Sequence, residues 1–519
     1  MKKSESEPQP LKLSDSDTAT DRKDEDIKDL NRKSVRGGAV TLSSQAASIA
    51  IQLASSVVLA RLLSPEDYGI IAMVLAVTAF AGLFRDLGLS SAAIQKKNLT
   101  RAQQSNLFWI NVAMGSLLTS IVAAGAPLVA HFYAKPELLK VTMALSATFV
   151  IVSLGTQHGA MLVKRMQFGR KAIATISGSL VTLVVAVTLA FHGYSYWSLV
   201  WGNIAGAVIT TVWLLVLSPF HPMWLSKGSG VREMLGFGAS VTVFDFANYF
   251  SRNLDNVLIG RHLGTVELGF YSRAYSLLMF PISAVRGPIN AVGYPALSKL
   301  QDHPEEYRQF SRNITALIAF LSMPMVAFMG TTSHLLIPLA LGEGWTASIP
   351  IFSILAVAAF FQPVSAVRGQ VMLSMGYSGR YARWGIANAL LISMAFLIGI
   401  NWGAYGVAIA YSITNTIILL PSVVYAFRGT PLKIGDFIGP ITRPMVSSLI
   451  AGSILILKNN TVEMEVLPVW VYAILDMTLF TLTYVGLIAL VESGRNELKS
   501  MIVACKKIIM GQQQTSLIR

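Results

Sequence analysis

The sequence has a single cysteine, Cys505, and few charged residues, since Asp, Glu, Lys and Arg make up only 13% of its 519 positions. One cysteine excludes an intramolecular disulfide and a cysteine-rich metal cluster. The seven histidines form no H-x-x-x-H pair, and no G-x-x-x-x-G-K-[ST] loop occurs. The sequence therefore offers neither a zinc-protease site nor a nucleotide-binding loop, and it predicts no enzyme that depends on either.

Apolar residues are abundant instead: 53% of the chain is hydrophobic and the mean hydropathy is +0.56. This composition excludes an ordinary soluble domain and predicts an all-α polytopic membrane protein. About 20 helical residues cross the hydrocarbon core of a bilayer, and about fourteen runs of that kind are present. They lie near 38–60, 69–93, 107–131, 138–160, 172–191, 196–217, 235–260, 274–297, 313–335, 348–371, 382–401, 404–427, 440–457 and 467–491.

The positions of the Lys and Arg residues predict the orientation of these runs. With the N-terminus in the cytoplasm, the internal loops hold sixteen Lys and Arg and the external loops hold five, as the positive-inside rule requires. The net charge of +14 is therefore mostly a topology signal, and no nucleic-acid partner is predicted. Residues 1–36 are polar and highly charged, which predicts a disordered cytoplasmic extension and no signal peptide.

The helix count predicts the domain organisation. Six helices form each of two lobes, 37–217 and 235–427, joined by a cytoplasmic linker at 218–234. Because six is even, both lobes enter from the same side and are related by an axis along the membrane normal. The last two helices, within 428–491, are predicted to be an appendage, and the tail at 492–519 to be cytoplasmic.

The run at 235–260 carries a polar stripe, because Asp245, Asn248, Arg252 and Asp255 fall within roughly 80° on a helix. Charged residues inside a membrane normally face a bundle interior or a watery cavity. The stripe therefore indicates a solute pathway, although an intrahelical Arg252–Asp255 pair that only fixes packing is the alternative. Asp245 has no cation three or four residues away and would suit coupling to a proton or sodium gradient.

The same layout occurs 200 residues earlier, at Gln45, Gln52 and two serines, so the chain contains a repeat. The register continues through the next loop, where 60–69 lies over 260–269 without a gap. Aligned stripes followed by an aligned loop predict two structurally similar halves, an arrangement common in secondary transporters.

Further charges lie within the predicted helices, and arginine is the residue type that a phosphate site needs, because its guanidinium stays charged and offers paired donors. The alternatives are salt bridges between helices, or snorkelling for Arg85 and Arg368. Asp86 and Asp476 are predicted to be structural partners. The substrate-binding candidates are Arg252, Arg286, Arg85, Arg368, Asn248, Gln45 and Gln52, and the ion-coupling candidates are Asp245 and Asp255.

Four stretches of the chain resemble polysaccharide flippases of the Wzx type, within the multidrug/oligosaccharidyl-lipid/polysaccharide exporter superfamily. They are LARLLSPEDYGIIAM at 59–73, FRDLGLSSAAIQKK at 84–97, NLDNVLIGRHLGTVELGFYSRAYSLLMFP at 253–281 and NAVGYPALSKLQ at 290–301. With the helix count, the resemblance covers about 38–490 and leaves only the two tails outside it.

The resemblance implies a V-shaped transporter that moves an undecaprenyl-diphosphate-linked oligosaccharide across the bacterial inner membrane by alternating access. It implies a cationic central cavity, for which Arg252, Arg286 and Arg85 stand in the matching segments. Glycosyltransferases and a polymerase are the expected pathway partners, and no cofactor is expected beyond a coupling ion, H⁺ or Na⁺. The transported glycan is not identified.

Three alternatives stay open. A cation-coupled multidrug exporter of the same superfamily would favour a cavity rich in carboxylates, whereas the interior here has more arginines than acids. A membrane polymerase or ligase would need a large external loop, and the largest one, near 261–273, is short. A structural scaffold would leave the aligned polar stripes unexplained.

Overall fold

The structure is a computed structural model that describes residues 40–41, 43–86, 88–96, 98–226, 249, 253–461 and 468–490. The side chains of 284 and 288–292 lie outside the description. All regular secondary structure among the described residues is helical, which confirms the all-α prediction.

Seventeen helices are named here in chain order. The first is α1, Ser43–Leu62, and α8 covers 253–263 of the described residues. The others are α2 Pro65–Asp86, α3 Leu89–Gln95, α4 Arg101–Tyr133, α5 Glu137–Lys164, α6 Phe168–Phe191, α7 Trp197–Leu217, α9 Thr265–Lys299, α10 Pro304–Thr331, α11 Ser333–Leu341, α12 Ser348–Ser365, α13 Val367–Ser374, α14 Ser378–Gly399, α15 Gly403–Phe427, α16 Ile434–Thr461 and α17 Val469–Ala489.

Local signals in the sequence set several of these boundaries. Thr100 and Gln103 form a capping box at the start of α4, in which each side chain accepts a hydrogen bond from the backbone N–H of the other. Gly264 has a φ of 89° between α8 and α9, a conformation that glycine adopts without steric cost. Such a turn lets two long helices follow each other directly.

Eleven stretches of the described residues are long and apolar enough to cross a membrane, and one of them, Ser378–Phe427, contains both α14 and α15. The predicted run at 274–297 falls inside α9, while most of 235–260 lies outside the described residues. The multi-pass architecture is confirmed, and the count of fourteen agrees with these helices. One detail is corrected: α9 begins at Thr265, so Arg273 lies inside a helix and not in an external loop.

The two halves meet at equivalent positions of the repeat. Gly69 of α2 contacts Thr265 of α9 so closely that a Cβ on the glycine would overlap the Thr265 carbonyl. Gly269 of α9 contacts Pro65 of α2 in the same way. The two contacts exchange when 200 is added to or subtracted from each number, which is the signature of a pseudo-two-fold axis between α2 and α9. We call this contact the seam.

A second pair of contacts joins the halves at Ala60 and Gly260, which are equivalent positions near the ends of α1 and α8. The Trp345 indole N–H, from the second half, donates to the Ala60 carbonyl at 2.8 Å. At the equivalent position in the other half, a Cβ built on Gly260 would lie 3.0 Å from the ring of Tyr133. An aromatic side chain of each half therefore closes on the first helix of the other half, beside the seam.

The last two helices add to the second half. The α16 helix packs on α10 and on α17, and Arg308 of α10 donates from Nε to the buried Asp436 carboxylate at 3.1 Å. Asp476, fully buried in α17, forms an ion pair with Lys458 of α16. This pairing agrees with the structural role predicted for Asp476.

Candidate functional site

The predicted stripe falls partly outside the described residues. Asp245, Asn248 and Arg252 lie there, so their roles remain predictions. The description resumes at Asn253, and the last member of the stripe, Asp255, is 4% exposed.

Arg368 is the best-defined cation of the second half. Its guanidinium donates to the Ser422 hydroxyl of α15 at 2.6 Å and lies 5.5 Å from the centre of the Trp384 ring of α14. Arg286 of α9 lies within electrostatic range of it. Two positive charges repel each other strongly in a low-dielectric interior, and an anion between them relieves that repulsion. The pair is therefore suited to a phosphate or diphosphate group.

Gln45 brings the first half to this site. Its side-chain nitrogen lies against α9, where it would be 3.3 Å from a Cβ on Gly287, the residue that follows Arg286. Gln52, two turns further along α1, is exposed. These contacts place Gln45 of α1 against α9 next to Arg286, and Arg286 lies within electrostatic range of Arg368 of α13.

Trp384 was missed by sequence reasoning, although it lies in the second turn of α14, a helix that also carries Arg380 and Arg383. Its indole N–H is buried and has no hydrogen-bond partner among the described residues. A donor of this kind beside a guanidinium can serve a phosphate oxygen or a sugar hydroxyl. Gln370 is a second neighbour of Arg368 that sequence reasoning missed. Its side-chain Oε1 would be 2.7 Å from a Cβ on Gly293 of α9. Its closeness to Arg368 in the sequence was the available signal.

Arg85 does not join this group through any described contact. Its Nε is buried without a hydrogen-bond partner among the described residues, and the neighbouring Asp86 supplies a negative charge nearby. Asp86 also accepts hydrogen bonds from the backbone N–H and the hydroxyl of Ser90, and so holds the start of α3. A local structural role therefore accounts for Asp86, as predicted.

Asp255, in the second half, occupies a different environment. Its carboxylate accepts a hydrogen bond from the Tyr271 hydroxyl at 2.9 Å and one from the Asn256 backbone N–H at 2.8 Å. Among the described residues no cation forms a salt bridge with it. In the part of the chain that the structure describes, Asp255 is held by hydroxyl and amide donors and not by an ion pair, so it remains a candidate for ion coupling.

Residues 58–350, more than half of the chain, match the family model described as polysaccharide biosynthesis protein. The chain belongs to this family. Two curated relatives are the teichuronic acid biosynthesis protein TuaB of Bacillus subtilis strain 168 and the lipopolysaccharide biosynthesis protein WzxC of Escherichia coli K12. TuaB is 25% identical over 383 residues, 73% of this chain and 79% of its own. WzxC is 25% identical over 399 residues, 75% of this chain and 80% of its own.

Solved structures show the same fold. The lipid II flippase MurJ, in an inward closed conformation, superposes with a TM-score of 0.73 at 13% identity, over 87% of this chain and 98% of MurJ. An inward-facing MATE-family multidrug transporter of the MOP superfamily gives a TM-score of 0.58 at 13% identity, over 82% of this chain and all of its own. These likenesses confirm the predicted fold.

This member of the polysaccharide biosynthesis family is therefore a multi-pass transmembrane protein with a flippase-type fold. The family match spans the seam and Arg286, whereas Arg368 and Trp384 lie beyond its last matched residue. We define the arginine site as Arg286, Arg368 and Trp384. It combines α9 of the matched region with α13 and α14, which lie outside that region. Its assignment depends on the geometry of this chain.

Proposed function

We propose that the protein moves a polyprenyl-diphosphate-linked oligosaccharide, with undecaprenyl diphosphate as the carrier, from the cytoplasmic to the periplasmic leaflet of the bacterial inner membrane. The observation that carries the proposal is the Arg368 guanidinium beside the Trp384 ring, whose indole N–H is buried without a hydrogen-bond partner among the described residues. Family membership supports a role in the synthesis of an exopolysaccharide, capsule or lipopolysaccharide.

The chemistry of such a substrate fits a cationic site between helices. Its sugar hydroxyls and diphosphate are strongly hydrated and cannot cross hydrocarbon unaided, whereas the polyprenyl tail is stable in lipid. Arginines neutralise the diphosphate with paired hydrogen bonds, and Gln45 and Gln52 offer donors and acceptors to hydroxyl groups. The tail stays in the membrane while the head group moves, and no covalent bond is made or broken.

Alternating access of two lobes would move the head group. We assign the lobes to 37–217 and 235–427, with 428–491 carried by the second lobe and the two tails in the cytoplasm. The two halves are in close contact at the seam. Arg286 and Arg368 lie towards the opposite ends of their helices, on the predicted cytoplasmic side. This arrangement supports a state in which the site receives substrate from the cytoplasmic leaflet.

The start of the predicted linker, 218–234, would move with the first lobe. Ser226 and Asn106 of α4 exchange hydrogen bonds at 3.0 and 2.7 Å, and the Met223 backbone N–H donates to the Ser105 hydroxyl at 2.9 Å. These contacts fix the chain to α4 as far as Ser226. Movement of the first lobe would therefore carry the chain with it as far as Ser226.

A multidrug exporter coupled to H⁺ or Na⁺ is the second candidate. The likeness to the MATE-family transporter and the buried Asp255 carboxylate favour it, because a cation can exchange with a coupling proton at a carboxylate. Arg286 and Arg368 argue against a cationic cargo, since they would repel it. Asp245 and Asp255 serve as ion-coupling candidates under either function.

Transport in proteoliposomes tests the proposal, with a fluorescent undecaprenyl-diphosphate oligosaccharide as substrate. Native protein is expected to move the lipid, and Arg286→Gln and Arg368→Gln to reduce the rate at least tenfold, a loss of about 1.4 kcal/mol of stabilisation. Arg252→Gln belongs to the same series, and a role for Arg252 is supported by the sequence alone. Arg383→Gln is the matched control, because Arg383 is exposed and, among the described residues, donates its hydrogen bond to the Gly379 carbonyl of its own helix.

The outcomes separate the candidates. Expulsion of cationic dyes by native protein that leaves the lipid-linked glycan in place would establish the drug exporter. Normal glycan transport by both site variants would make Arg286 and Arg368 structural and would refute the site.

A further inference from the structure

Arg273, a third arginine of the second half, lies on α9 near the seam and was not among the predicted site residues. Its guanidinium stands 4.2 Å from the centre of the Tyr68 ring of α2, across the boundary between the two halves. Among the described residues its Nε is buried without a hydrogen-bond partner, and no carboxylate forms a salt bridge with it. In that part of the chain, the positive charge lies against the neutral side chain of Tyr68.

The position of Arg273 relative to the seam is well defined. It follows Gly269, which contacts Pro65, by four residues or about one helical turn. The Tyr68 ring, in turn, packs edge-on against Trp345 at 5.4 Å. Arg273 is thus enclosed immediately inside the closed seam, on the side of the arginine site.

The repeat shows that packing alone does not require an arginine here. The equivalent residue of the first half is Met73, fully buried against α8 beside Gly260. The equivalent of Tyr68 in the second half is Leu268, also fully buried. An apolar pair fills this space in a structurally similar setting, and charged residues inside a membrane are costly enough that their presence points to function.

We propose that Arg273 is a second anion-binding residue of the transport path, which receives the diphosphate group of the substrate when the seam opens. The inference rests on the proposed function and extends it to the far side of the membrane. Arg286 and Arg273 lie thirteen residues apart on one helix, or roughly 20 Å at 1.5 Å per residue. That separation covers much of the roughly 30 Å hydrocarbon core.

The Tyr68 ring is a partner that Arg273 can give up in favour of the diphosphate. In the closed seam it stabilises the guanidinium by a cation–π contact, and being neutral it competes weakly with a diphosphate, which forms charge-assisted hydrogen bonds. Opening of the seam separates α2 from α9 and removes the ring. Arg273 then faces the space into which the head group moves.

The test uses the substitution that the other half already contains, Arg273→Met. Binding of farnesyl diphosphate to purified protein and transport of the undecaprenyl-linked oligosaccharide are measured on the same preparations. Arg273→Met is expected to retain its thermal unfolding midpoint and its diphosphate affinity within about twofold, because Arg286 and Arg368 remain. Transport is expected to fall at least tenfold. Arg261→Gln is the control, since Arg261 is an exposed arginine near the seam whose ring contact, with Phe132, is longer at 5.7 Å.

Each result supports or contradicts the role proposed for Arg273. Native-like transport by Arg273→Met overturns the proposal while leaving the arginine site intact. If Tyr68→Leu reduces transport as strongly as Arg273→Met does, the contact between halves matters and the charge does not, which also overturns it. If native protein neither binds farnesyl diphosphate nor transports the glycan, the proposed function is refuted, and so is the role proposed for Arg273.

Discussion

The seam and the arginine site use the repeated sequence in opposite ways. At the seam, Gly69 and Gly269 occupy equivalent positions and make equivalent contacts across the pseudo-two-fold axis. At the arginine site, Arg286 stands 200 residues after Asp86, which holds the start of α3. One region keeps the two halves interchangeable, and the other makes them chemically different.

The difference between the seam and the arginine site shows which parts of a repeat can diverge. A contact on the symmetry axis involves both halves, so a change in either half alters the same packing. A residue away from the axis can change in one half without a matching change in the other. We therefore expect substitutions at the seam to act alike in both halves and substitutions elsewhere to act in one half only.

The largest effect is expected when the seam is filled. Gly69→Ala would place a Cβ 2.8 Å from the Thr265 Cα and in overlap with its carbonyl, and Gly269→Ala would do the same at Pro65. Each is expected to lower the free energy of unfolding by about 3 kcal/mol, the upper range for overpacking, and to abolish transport. Thermal unfolding in detergent and the flipping assay measure both effects.

Gly125→Ala is the control for this pair, because nothing lies within 4 Å of a Cβ at that helical position. Unequal losses for Gly69→Ala and Gly269→Ala would show that the axis does not pass between them in the functioning protein.

A smaller effect is expected at Asp67, whose contacts have no equivalent at Glu267. The buried Asp67 carboxylate accepts hydrogen bonds from the Ser64 backbone N–H at 2.8 Å, the Tyr196 backbone N–H at 2.9 Å and the Ser195 hydroxyl. Asp67→Asn should lower the free energy of unfolding by about 2 kcal/mol, since bonds to a charged group are lost. Glu267 is exposed, and Glu267→Gln should leave the unfolding midpoint unchanged; equal shifts would contradict the asymmetry.

The smallest effect is expected at the exposed ion pair between Glu66 and Lys135, which are 3.5 Å apart with 53% and 35% of their side chains exposed. Water and salt screen such a pair, so Glu66→Gln should change the free energy of unfolding by less than about 0.5 kcal/mol. The equivalent position, Val266, carries no charge. A shift in the unfolding midpoint comparable to that of Asp67→Asn would show that this pair stabilises the seam.

The sequence predicted the fold well because helices that cross a membrane are a local property. Twenty apolar residues must satisfy their own backbone hydrogen bonds in lipid, so the length of each run nearly decides its structure. The repeat was readable for a similar reason, since aligned residues at 60–69 and 260–269 need no knowledge of packing. The position of Arg273 was misjudged because the turn at Gly264 lets α9 begin earlier than its apolar run.

The arginine site could be predicted only in part. Arg286, Arg368 and Gln45 were identified as charged or polar residues in apolar helices, a signal present in the sequence. Their convergence was not, because it depends on how α1, α9 and α13 cross in space. Trp384 gave no signal at all, since an aromatic residue in a membrane helix is ordinary until its neighbour is known.

Hydropathy and the spacing of the repeat are properties of the chain alone, and they suffice to identify a membrane-spanning helical protein built from two related halves. Which charges lie near one another, and where the two halves are in close contact, could be read only from the folded arrangement of the helices. Those outcomes depend on side chains from distant segments meeting in a low-dielectric interior, where a separation of a few ångströms determines whether two charges interact strongly or hardly at all.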